Sequence, residues 1–107
     1  MHEVSLPESM DPEQKYIAFE VDDYATPPAA PGWLLVFHRS QAAPGDLLNA
    51  PCLVHTADGR RFFKRLRQGR TDGRYDLENW DGSTFVEDVE IHSALAFAVL
   101  TPGRWAR

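Results

Sequence analysis

Apolar and polar positions along this chain fall into short runs separated by proline, glycine and aspartate, a pattern that predicts strands rather than helices. Tyr16-Ile17-Ala18-Phe19-Glu20-Val21 is a β run that stops at Asp22-Asp23, and the Thr26 to Gly32 stretch, with three prolines and a glycine, can only be a loop. Trp33 to His38 is continuously apolar, as a strand buried on both faces should be, and Pro44-Gly45-Asp46 is a turn. Cys52 to Thr56 and Arg61 to Leu66 flank Ala57-Asp58-Gly59-Arg60, and an Asp-Gly pair between two β runs predicts a hairpin. Gln68 to Gly73 is a second turn, Arg74 to Glu78 a half-buried strand, and Asn79 to Thr84 a loop. From Val86 onward the large apolar residues alternate through Val89, Ile91, Leu95, Phe97 and Val99, with Ala94, Ala96 and Ala98 on the other face. The alanines would permit a helix through Glu87 to Leu100, but the alternation favours strands.

These elements predict a mostly β fold of about six or seven short strands, a sandwich or a partly open barrel. At 107 residues the chain suits one compact domain. Residues 1–15 are polar and hold Pro7 and Pro12, so they read as a flexible arm, with the domain over 16–107. The small-faced strand near the C-terminus is expected at a sheet edge, open to a second chain.

Composition narrows the function classes. With 43% hydrophobic and 25% charged residues, neither disorder nor a membrane span is favoured. The longest apolar stretch, Ala94 to Leu100, is far short of the roughly 20 residues that cross a bilayer. Met1 to Asp11 has no apolar segment of a secretion signal, so a cytoplasmic protein without membrane contact is expected. Cys52 is alone in an apolar run and reads as a buried small hydrophobe. The four histidines, His2, His38, His55 and His92, lack metal-ligand spacing and no cysteine pair exists, so no metal and no cofactor are expected. The net charge of -5 argues against direct nucleic-acid binding. Arg60, Arg61, Lys64, Arg65, Arg67, Arg70 and Arg74 do crowd one segment, and the expectation is a hairpin whose basic residues pair with acids of the same domain.

Four segments, in order, resemble the C-terminal domain of the LexA/CI superfamily of serine-lysine self-cleaving repressors, including its phage-repressor members. Phe19 to Pro27 sits where the family has Val-x-Gly-Asp-Ser-Met-x-Pro. Gly32 to Phe37 is similar to the following Asp-Gly-x-Leu-Val strand, and Pro44 to Leu48 to the Pro-Gly-Asp turn. Asp58 to Leu66 is similar to the hairpin Asp-Gly-x-x-x-Val-Lys-Arg-Leu, whose lysine is the family's catalytic base. The resemblance spans residues 16–100 and implies a LexA/signal-peptidase-like β fold of twisted sheets.

One departure changes the functional expectation. With Pro27 and Gly32 aligned to the family's proline and glycine, the nucleophile position falls on Tyr24. A serine-lysine hydrolase needs a small hydroxyl at a backbone turn and a lysine desolvated enough to accept its proton. A bulky phenol meets neither need, so Tyr24 is expected to be inert and Lys64 a relic base. The Ala-Gly type of bond that the family cuts is absent from Met1 to Lys15, and no N-terminal DNA-binding helix-turn-helix is expected within the 107 residues. The resemblance therefore implies a pseudoenzyme in transcription regulation that acts through protein contacts, as a homodimer or with a partner repressor. Leu95, Phe97 and Val99, supported by Trp105, are the expected interface. The alternatives are a peptidase using a displaced hydroxyl with Lys64 as base, and nucleic-acid binding through the basic hairpin.

Overall fold

Strand-forming residues and tight turns dominate the computed structural model, which describes residues 1–22 and 30–101. Eight strands follow one another: β1 (His2–Val4), β2 (Tyr16–Glu20), β3 (Leu34–Ala42), β4 (Pro51–Thr56), β5 (Arg61–Gln68), β6 (Tyr75–Glu78), β7 (Thr84–Val89) and β8 (Ile91–Thr101). Their hydrogen-bonded order is β1-β2-β3-β8-β4-β5-β6-β7, so the mostly β expectation holds with a slightly higher strand count. The turn at Pro44-Gly45-Asp46 is a short 3-10 helix, Pro44–Leu47. Among the described residues no helix is long and apolar enough to cross a membrane.

Two expectations need correction. The N-terminal segment is not simply a loose arm, because His2, Glu3 and Val4 pair with Glu20, Phe19 and Ala18 of β2. The C-terminal strand is not an edge, because β8 has a hydrogen-bonded neighbour on either side; β1 and β7 are the outer strands. Alternating apolar residues mark a strand with one or both faces buried, and that pattern does not say how many neighbours it has along the sheet.

The chain divides into two compact units, residues 1–40 with 97–107, and residues 41–96. In the first, β1, β2 and β3 form an antiparallel ladder. Phe19 and Phe37 are buried and meet edge to face with centroids 6.0 Å apart, and Phe97 meets Phe37 at 5.7 Å. Asp11, the one charged residue buried among the described residues, starts β2 by accepting from the backbone N–H of Lys15 at 2.8 Å and of Tyr16 at 3.1 Å.

The second unit is a meander of β4 to β7 with the first half of β8 laid antiparallel on β4. The register sets Val54 opposite Phe62 and Ala94, and Leu66 opposite Leu77, so these residues share one face. Cys52, Val54, Leu66, Leu77 and Ala94 are fully buried there, with Leu47, Leu48, Tyr75 and Ile91 packed around them. The β4–β5 connection is the expected hairpin: Gly59 takes φ +89° and Thr56 N–H donates to Arg60 O at 2.9 Å. Arg60 Nε closes the turn onto Asp58 at 2.8 Å.

Candidate functional site

Lys64 lies in the middle of β5, opposite Cys52, and therefore shares its face with Phe62 and Leu66. Such a lysine has an apolar floor beneath its stem and must carry its ammonium to polar groups at the rim. The loop between β6 and β7 supplies them. Asn79 N–H donates to Ser83 O at 2.8 Å and Gly82, at φ +90°, donates to Asn79 O at 3.0 Å, which closes residues 79–83 into a tight turn. That turn carries the Asn79 side chain to Lys64, whose Nζ donates to Asn79 Oδ1 at 2.8 Å. The ammonium also stands 4.5 Å from the centroid of the Phe85 ring, in cation–π contact.

Electrostatics at this amine pull both ways. Partial burial lowers the Lys64 pKa, the nearby Asp81 carboxylate raises it, and burial prevails, leaving it below the ordinary lysine value. The Asp81 carboxyl is itself held below the ordinary range, first by the Ser83 hydroxyl that donates to it at 2.6 Å. Asn79 Nδ2 donates to the same Ser83 Oγ at 3.1 Å. A hydroxyl therefore stands one amide away from the lysine, bonded to Asn79 and Asp81 rather than to the amine.

The other face of β5 carries most of the guanidinium groups. Arg65 reaches Glu78 at 3.0 Å and Arg67 reaches the same carboxylate at 3.4 Å. The Phe63 and Trp80 rings lie 4.9 Å apart, and the Arg65 guanidinium is 5.9 Å from the Trp80 ring. Trp80 Nε1 is buried with no hydrogen-bond partner among the described residues. Arg60 pairs with Asp58, and Arg74 donates to Asp88 O at 3.4 Å. Much of the basic segment is thus joined to acids and carbonyls of its own unit, as the charge pattern led one to expect.

The remaining expected site residues are scattered. Leu95 is buried within the chain, which removes its side chain from any contact surface without rearrangement. Phe97 is half-buried against Phe37, and Val99 alone of the three is well exposed, at 45%. Tyr24 and Trp105 lie outside the described residues. Asn79, Asp81, Ser83 and Phe85 were not singled out as site residues by sequence reasoning. Their signal, a polar turn with Gly82 at its corner, marks the loop but not what it holds.

The first unit contains a cavity of about 270 Å³ lined in part by Glu3, Glu8, Asp11, Tyr16 and Arg39. Asp11 is committed to backbone amides, and Arg39 donates to the carbonyls of Gln14 and Tyr16, each at 3.1 Å. Comparison of the chain with family models, with curated proteins and with solved structures finds no match.

Proposed function

We propose that this chain is a non-catalytic protein-association domain of the type that LexA/CI repressors carry at their C-termini, acting as a homodimer or on a related repressor. The observation that carries this reading is the state of Lys64. The side chain at the position of the family's base donates to the amide oxygen of Asn79, a group with no nucleophilic role, and rests on Phe85. Tyr24, at the aligned nucleophile position, supplies no compact alcohol. The exposed Val99, beside Ala98, offers an apolar end of β8 for contact through side chains rather than through a free strand edge.

The peptidase alternative finds an alcohol one amide away from Lys64 in Ser83, and a serine-directed fluorophosphonate probe separates the two readings. Wild type and Lys64→Ala are both expected to remain unlabelled at alkaline pH, where a depressed lysine is neutral. Labelling that disappears in Lys64→Ala would overturn the non-catalytic reading. Association is tested by light scattering over a concentration series. A mass above the 12.1 kDa of one chain, rising with concentration, is expected. A strict monomer that also leaves the oligomeric state of a co-expressed repressor unchanged would overturn the association role.

A further inference from the structure

Side chains from two distant stretches of the sequence meet at the outer end of the first unit. The antiparallel register of β1 on β2 sets His2 directly opposite Glu20, the closest cross-strand relation a sheet offers. Asp22 follows Glu20 by two residues, and the backbone between them stays extended because Val21 N–H donates to Trp33 O and Gly32 N–H donates to Val21 O, each at 2.9 Å. An extended chain returns to the same side every second residue, so both carboxylates face the imidazole. His2 Nδ1 lies 2.7 Å from Asp22 Oδ1, and Nε2 lies 3.6 Å from Glu20 Oε2. One donor atom from each of the three lies within 4.8 Å of the others.

We propose that His2, Glu20 and Asp22 form a binding site for a divalent transition-metal ion of the zinc class. Zinc accepts imidazole nitrogen and carboxylate oxygen at about 2.0–2.2 Å, which places the ligand atoms of a tetrahedral ion about 3.5 Å apart. The donors reach that spacing by small side-chain adjustments, the His2–Asp22 pair opening from 2.7 Å and the wider pairs closing from no more than 4.8 Å, movements open to side chains that are 53%, 28% and 45% exposed. The nitrogen donor separates the site from those of magnesium and calcium, which take all-oxygen sets. Three protein ligands leave a fourth position for water, the arrangement of an open rather than a closed zinc site.

The ligands compete with their present partners, and this sets what binding requires. The Asp22 carboxylate bonds both His2 and the amine of Met1, and it is held below the ordinary carboxylate range chiefly by that amine. A metal ion replaces both of those contacts on Asp22 and takes one ring nitrogen of His2. Its structural effect is to fasten β1 onto β2, since one ligand comes from the first strand and one from the second.

The test is a zinc titration of the untagged full chain after chelator treatment, read by calorimetry and by backbone NMR. One equivalent is expected to bind, with shifts centred on residues 2, 20 and 22. His2→Ala and Asp22→Asn should each weaken binding by about tenfold or more, while His55→Ala and His92→Ala leave it unchanged. Thermal unfolding of the metal-free variants verifies that they remain folded, and Glu20→Gln gives an independent reading if either fails. Absence of saturable zinc binding, zinc binding that survives in His2→Ala/Asp22→Asn, or magnesium binding as tight as zinc binding would each overturn the proposal.

Discussion

The thiol of Cys52 reports on its surroundings because burial alone raises its pKa to about 12, against an ordinary 9.0. Its sulfur lies 3.8 Å from the backbone oxygen of Lys64, within the buried apolar cluster of the second unit. An Ellman's assay of the native protein is therefore expected to show no reactive thiol at neutral pH, and one thiol once denaturant opens the β4–β5 core. Rapid reaction of the folded protein would contradict the packing described here. His55 shows the opposite response to burial, which lowers its pKa first, with Arg61 and His92 adding to the shift. A histidine depressed in the folded state takes a proton more readily when unfolded. Its contribution to stability is thus complete above the ordinary value of 6.5 and declines as the pH falls through it. Urea midpoints measured at about pH 7.5 and about pH 5.5 should fall less in His55→Gln than in wild type. An identical or larger fall in the variant would reverse the assigned sign.

Among the strands and turns, two glycines illustrate different constraints. Gly59 takes φ +89° in the hairpin with open space around it, so Gly59→Ala meets only the backbone penalty, about 1–2 kcal/mol. Gly69 has no such conformation, but an added Cβ would stand 2.6 Å from Arg74 O and 2.8 Å from Asp88 Oδ1. Gly69→Ala must move backbone at the β5–β6 turn, and a loss of about 1–3 kcal/mol in urea unfolding is expected. The Asp-Gly pair announced the first of these in the sequence, because a turn of that type depends on local geometry. The second depends on Asp88, which sits at φ 52° in the irregular part of β7 and accepts from Thr71 N–H at 2.9 Å and Thr71 Oγ1 at 2.8 Å. No pattern within residues 68–74 encodes that approach. Lys64 was legible as a candidate only through the resemblance of its hairpin to that of the LexA/CI family, whereas Asn79 and Phe85 were not, because the turn and the strand that deliver them are set by the β6–β7 register. The same limit hid β1, whose partner strand lies beyond a proline-containing segment that looks unstructured in isolation.

For the molecule as a whole, charge and apolar exposure decide what it can meet. The chain carries a net -5, and Glu78 pairs with two of the arginines in its most basic segment and offsets one of their charges, so no more than weak, salt-sensitive attraction to nucleic acid is expected in a fluorescence-anisotropy titration. Tight binding that persists as salt is raised would speak for base-specific contacts and against the proposed association role. Val99 is one of the few large apolar side chains with substantial exposure, and Val99→Asp is expected to shift the light-scattering mass toward a single chain without lowering the thermal midpoint. An unchanged mass would exclude this end of β8 from the contact.

The order of β8 and β4 along the ladder has a bearing on biosynthesis. Strand β4 bonds to β5 on one side and to residues 91–96 on the other, so Cys52 to Thr56 leaves the ribosome well before its second neighbour exists. During that interval a nascent chain presents one side of an apolar strand to whatever else can pair with it, the condition under which chains join to one another. The protein is safest from such errors only after Ile91 to Ala96 has been translated, which makes the arrival of β8, rather than formation of the β4–β5 hairpin, the event that seals the second unit.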